Sequence, residues 1–265
     1  MRQRAILAAL TTVAATAAAI AFTATSAQAA GANYAALGDS YSSGLGAGNY
    51  GSSGSCDRSS GAYGQLWANA HSPSAFDFAA CSGAKTTDVV STQAPTLSSA
   101  TTLVSITIGG NDVGFSSVME TCVLDSTSSC VSAVNSAESQ ANSTLPGELD
   151  NALNAIAAHA PSARVVVLDY PELYDLSKSS TCIGLSTTDR VALNQAADVL
   201  DSQIQAAAAR HGDVFADVRS AFSGHEICDS SSWLHSVDWL NFGDSYHPTA
   251  SGQSGAYYPV FSAHA

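Results

Sequence analysis

The chain has 265 residues, 46% hydrophobic and 12% charged, with 20 glycines and 7 prolines. This excludes a collagen-like or wholly disordered chain and fits one globular domain, at most two. Acidic residues outnumber basic ones 22 to 9, a formal charge of −13 with no basic patch to offset it, so nucleic acid is excluded as a partner.

Met1 to Arg4 is a basic start, Ala5 to Phe22 an uncharged apolar run, and Ala27-Gln28-Ala29 offers the small residues a signal peptidase reads. Together they predict a secretory signal peptide over residues 1–29 and a mature domain over 30–265, extracellular and without stable membrane anchoring. A membrane anchor is the weaker reading, because the run is rich in alanine and no stop-transfer charges follow. Cleavage removes Arg2 and Arg4 and takes the formal charge to −15. The six cysteines, Cys56, Cys81, Cys122, Cys130, Cys182 and Cys228, all follow the cleavage point. An even count in an exported chain, with no zinc spacing, predicts three disulfides. Of the fifteen possible pairings, the sequential one is favoured, since each pair then brackets one stretch between predicted elements.

Along the mature chain, Asn33 to Leu37, Phe76 to Cys81, Leu103 to Ile108, Arg164 to Asp169 and Val214 to Val218 are short apolar runs that predict strands. Between them, Gly64 to His71, Val131 to His159 and Thr188 to His211 have helical spacing. The alternation predicts an α/β fold, a three-layer α/β/α sandwich on a parallel five-stranded sheet. Ser42 to Gly61, rich in glycine and serine, reads as a surface loop, and the tail after Asp229 carries little regular pattern.

Four short blocks carry candidate chemistry. Gly38-Asp39-Ser40 ends the first strand, Cys81-Ser82-Gly83 the second and Gly109-Gly110-Asn111-Asp112 the third, while Asp244-Ser245-Tyr246-His247-Pro248 lies near the C-terminus. In a parallel sheet all three strand ends open on one edge, where sites form. A serine hydroxyl becomes a nucleophile when an imidazole takes its proton, and the imidazole is held in one tautomer by an acceptor on its other nitrogen. Ser40, His247 and Asp244 supply these groups, with the Ser245 carbonyl as the alternative acceptor. Backbone N–H groups of Ser40 and Gly83 and the Asn111 side-chain amide are the candidate oxyanion donors. Asp112 reads as a loop-stabilising acceptor rather than a catalytic acid.

These blocks, in this order across the whole mature chain, resemble the SGNH (GDSL) hydrolases, and most closely the secreted actinobacterial lipases, phospholipases A1 and esterases. The resemblance implies a flavodoxin-like fold, Ser40 as nucleophile, His247 as base, oxyanion donors at Ser40, Gly83 and Asn111, and it supports the sequential disulfides. It implies ester hydrolysis through an acyl-enzyme on a small-molecule or lipid ester; no cofactor is expected, and no metal in the chemical step, since the oxyanion donors make one unnecessary. Deacetylation of a polysaccharide and a non-catalytic extracellular binding domain are the alternatives. An apolar acyl cleft is expected from Leu45, Val113, Phe115, Leu185, Trp233, Leu234 and Trp239, a monomer is the expected state, and activity is expected to fall as pH drops through roughly 6 to 7, the range of an ordinary imidazole. Gly46 to Gly51 matches the dinucleotide fingerprint in letters but follows no strand directly and opens no helix, so it is discarded.

Overall fold

The computed structural model describes residues 31–178 and 180–265; the expected signal peptide lies outside the described residues. Five strands form one parallel sheet: β1 (Asn33–Gly38), β2 (Ala75–Phe78), β3 (Leu103–Thr107), β4 (Arg164–Leu168) and β5 (Val214–Ala216), in the order β2-β1-β3-β4-β5. The inner strands are buried on both faces, as their unbroken apolar runs require. One helical layer contains α2 (Tyr63–His71) and the C-terminal α7 (Tyr258–His264), which pack on each other. The other contains α3 (Phe115–Leu124), α4 (Thr127–Ser143), α5 (Leu145–His159) and α6 (Thr187–His211). The sequence order reverses between β1 and β3, so a crevice opens beyond their C-terminal ends. Disulfides join Cys56 to Cys81, Cys122 to Cys130 and Cys182 to Cys228. Among the described residues no helix is long and apolar enough to cross a membrane.

Three expectations are corrected. The helical segment over residues 131–159 is two helices, α4 and α5, because Pro146 in the first turn of α5 has no N–H to donate back into α4. The tail after Asp229 is irregular as far as Thr249, but residues 250–264 are almost continuously helical, with Gly252, Gln253, Ala256, Tyr257 and Phe261 buried. A π-turn over Gln253–Tyr257 shifts the buried face, which is partly small and polar, and so blurs its period. Nor is Ser42 to Gly61 all surface. Ser42, Ser43 and Ser59 are fully buried; the Ser42 hydroxyl, for example, bonds Tyr63 Oη and Thr107 Oγ1, each at 2.8 Å, and accepts the Thr107 N–H at 3.0 Å.

Two carboxyls beyond β4 are buried close to one guanidinium: Arg219 Nε stands 3.5 Å from Asp169 Oδ2 and 3.9 Å from Asp201 Oδ2, and neither oxygen has a hydrogen-bond partner. Burial pushes both carboxyls up, and their mutual repulsion adds to it for Asp201. The folded chain then holds protons that the unfolded chain releases above the ordinary carboxylate range, so this contribution to stability is complete in acid and lost as pH rises through the raised values. Asp201→Asn is expected to raise Tm at pH 8 by roughly 2 to 4 °C and to have a smaller effect at pH 5, as followed by thermal melts.

Candidate active site

The turn that carries Ser40, the candidate nucleophile, is built by β1 running into a four-residue helical turn, α1 (Ser40–Ser43), with Asp39 as its N-cap. Gly38 takes φ +116°, and a Cβ there would collide with the Thr107 carbonyl oxygen, so the chain turns sharply enough to bring Ser40 over the sheet edge. The Asp39 carboxylate accepts the Tyr41 N–H at 3.0 Å, the Thr107 hydroxyl at 2.7 Å and the Tyr170 hydroxyl. Burial pushes this carboxyl up to about 6, against the pull of the Tyr170 and Thr107 hydroxyls and the Tyr41 N–H, with the charge of Asp112 adding to the rise.

His247 meets Ser40 across 207 residues of chain, with Nε2 2.8 Å from Ser40 Oγ. Its Nδ1 lies 3.0 Å from the Ser245 carbonyl oxygen. A carbonyl only accepts, so Nδ1 carries the proton and Nε2 is left as the acceptor for the serine hydroxyl. The expected role of Asp244 is therefore corrected: its Oδ1 accepts the Tyr50 hydroxyl at 3.0 Å, and the Ser245 carbonyl occupies the orienting position. What makes this contact is Tyr246, a non-glycine residue at φ +66°, which folds the backbone so that the carbonyl one residue before it faces the ring one residue after it. The left-handed conformation costs about 1 kcal/mol. It is held by the Tyr246 N–H on the His235 carbonyl at 3.0 Å and by the Tyr41 hydroxyl on the Tyr246 carbonyl at 2.7 Å. The imidazole is buried, and burial lowers it to about 4 despite the opposing Ser245 carbonyl and Asp244 charge.

Ser40 and Asn111 line one apolar pocket, together with Val113, Phe115, Val118, Leu173, Leu193 and Leu200. Gly83 lines a second cleft with Ser82, Arg58 and Gln93. It stands in a turn at φ +77°, and a Cβ on it would meet nothing within 4 Å, so its backbone is open to an approaching group. The two loops are tied together, for one Asn111 amide hydrogen is donated to the Ala84 carbonyl at 3.0 Å, leaving the second for a ligand. Asp112 is the loop-stabilising acceptor expected, taking the Thr86 hydroxyl at 2.6 Å.

Of the expected cleft walls, Val113 and Phe115 line the pocket. Leu45, Leu185 and Leu234 are buried in the core, Trp233 stacks on His225 at 3.7 Å, and Trp239 stands 68% exposed. Sequence reasoning missed Leu193 and Leu200, which sit in a regular helix and carry no local mark of a site. It also missed the use of the Gly46 to Gly51 loop. Gly46 accepts His235 Nε2 on its carbonyl at 2.8 Å and donates its N–H to Tyr50 Oη at 2.9 Å, and a Cβ on it would come within 3.1 Å of His247 Cβ, so the loop walls the histidine.

A serine hydroxyl on an imidazole with a fixed tautomer, beside the Asn111 amide at an apolar pocket, is equipped for acyl transfer. Comparison with known proteins agrees. The GDSL-like lipase/acylhydrolase family model matches residues 36–254. The chain is 59% identical over 242 residues to Lipase 1 of Streptomyces coelicolor, covering 91% of this chain and 90% of that one. Its fold matches a crystal structure of phospholipase A1 from Streptomyces albidoflavus with a TM-score of 0.87 at 55% identity, covering 89% of this chain and 100% of that one. It also matches an extracellular lipase from Streptomyces rimosus with a TM-score of 0.85 at 49% identity, covering 88% and 100%. The chain thus belongs to the GDSL-like lipase/acylhydrolase family and is a carboxylic ester hydrolase.

Proposed function

We propose that this chain is an exported lipid ester hydrolase in which Ser40 and His247 form a catalytic dyad. The observation that carries the reading is the Ser40 Oγ to His247 Nε2 contact of 2.8 Å at an apolar pocket. His247 takes the hydroxyl proton as Oγ attacks the ester carbonyl, and the Ser245 carbonyl stabilises the imidazolium that forms. The oxyanion is met by the Ser40 and Gly83 N–H groups and the free Asn111 amide hydrogen. His247 then returns the proton to the leaving alcohol, and water repeats the sequence on the acyl-enzyme. The family and the relatives named lipase support lipid esters as substrates. The basic, apolar and small-residue pattern of residues 1–29 and the three disulfides support export. Treatment with a fluorophosphonate tests the reading: it is expected to add one label, on Ser40, and an unlabelled Ser40 would defeat it.

The acyl chain lies in the pocket between α3, α4 and α6, whose far wall includes Ala137, Ala196 and Ala197. Ala196→Phe is expected to lower the ratio of kcat/KM for a long-chain over a two-carbon p-nitrophenyl ester by at least about tenfold. An unchanged ratio would place the chain elsewhere.

The pH dependence is also expected to depart from that of an ordinary imidazole. Protonation of Nε2 removes the base, and because burial disfavours the imidazolium the pH must fall further before that happens. The His247 limb of kcat/KM is expected near pH 4, with an inflection nearer 6 belonging to Asp39. Asp39→Asn should remove the second and leave the first. A limb near 6.5 that survives in Asp39→Asn would mean an unshifted histidine.

A further inference from the structure

Tyr170 follows β4, two strands away from β1, yet its phenol oxygen sits between the two loops that hold the reacting groups. The hydroxyl donates to Asp39 Oδ2, on the residue immediately before Ser40. The same oxygen accepts the N–H of Gly110, the residue immediately before Asn111, at 3.3 Å. Both of its hydrogen-bonding directions are thus used, one on each loop. The Tyr170 N–H is fixed in turn by Asp201 Oδ1 at 3.1 Å, and its ring packs edge-on against Tyr41 with centroids 5.0 Å apart. The loop it holds needs such a tie. Gly109 and Gly110 have no side chains to anchor them, Gly109 is at φ +119°, and the direct bonds between β1 and β3 end at Thr107.

We propose that Tyr170 is a positioning residue of this hydrolase: through one phenol oxygen it sets the spacing between the Ser40 turn and the Asn111 loop, and with it the geometry of the oxyanion site. This rests on the Ser40 and Asn111 roles proposed above. Oxyanion donors act only when held within a few tenths of an ångström of where the charge develops, and a displacement of about 1 Å costs on the order of 100-fold. Among the described residues Tyr170 has no hydrogen bond or ring contact with Ser40 or His247, so it takes no proton in the reaction.

Tyr170→Phe keeps the ring and removes both bonds. With a soluble p-nitrophenyl butyrate substrate, kcat per active site, counted by exhaustive fluorophosphonate titration, is expected to fall between about 10- and 100-fold, with KM changed less than about threefold. A purely structural tyrosine would reduce the number of titratable sites and leave kcat per site alone, so a value within about threefold of wild type overturns the proposal. Asp39→Ala removes the same bond from the other side and serves if Tyr170→Phe does not fold. Its kcat per site is expected to fall comparably, and an unchanged value would again overturn the proposal. Where both fold, the double variant should lose little more than the worse single one, and additive losses would mean that they act separately. Labelling of wild-type Ser40 separates the two levels. A labelled wild type with an unaffected Tyr170→Phe removes the Tyr170 assignment only, whereas an unlabelled wild type removes both.

Discussion

Ser40→Ala is expected to lower kcat/KM toward a p-nitrophenyl ester by on the order of 10^5, measured with the protein folded and disulfide-bonded. Covalent catalysis is lost outright, since among the described residues no other hydroxyl is bonded to His247 Nε2. What remains is the contribution of the oxyanion donors and the pocket, which keeps such variants above the uncatalysed rate. Folding should survive. The hydroxyl is one small group on a turn held by the Asp39 cap and by buried bonds of Ser42 and Ser43, so its removal should shift Tm by less than about 4 °C. Retained turnover in a folded Ser40→Ala protein would mean that the ester is cleaved by other groups.

The second large effect is a contrast between two residues three positions apart. His247→Ala should cost on the order of 10^4 to 10^6 in kcat, because it removes the base and the proton donor to the leaving alcohol together. Asp244→Asn should change kcat by less than about threefold. Its carboxylate binds Tyr50, whereas the imidazole proton goes to the Ser245 carbonyl, an acceptor no side-chain substitution removes. Where an aspartate orients the base, its amide replacement costs about 10^4 through the wrong tautomer, so the two assignments differ by thousands-fold in one assay. A fall of that size in Asp244→Asn would put the carboxylate on His247 in the working enzyme and displace the dyad.

Much of this architecture was legible in the chain because burial leaves a local trace. A strand covered on both faces is an unbroken apolar run, as Leu103–Thr107 is, and a helix covered on one face repeats its apolar residues every three or four positions, as α5 does. Ser40, Gly83 and Asn111 could be placed on one sheet edge from this alone, since parallel strands send their C-terminal ends the same way. His247 needed its Asp-x-x-His-Pro setting to stand apart from six other histidines.

Where burial is satisfied by hydrogen bonds rather than by apolar periodicity, the trace disappears. Ser42, Ser43 and Ser59 read as a solvated loop because a serine is buried or exposed according to whether a distant partner, such as Tyr63 or Thr107, arrives to meet its hydroxyl. The same holds for the orienting group of His247. Asp244 and the Ser245 carbonyl are both within reach in sequence, and the choice between them falls on the left-handed turn at Tyr246, itself held by Tyr41 from the other end of the chain. Residue types and strand ends determined the chemistry available to this protein and the edge on which it gathers. Which acceptor meets His247, which helices wall the apolar pocket and how Tyr170 spans the two loops were decided only by the packed backbone, since each depends, directly or through the Tyr41 to Tyr246 bond, on contacts of a few ångströms between segments far apart in the chain.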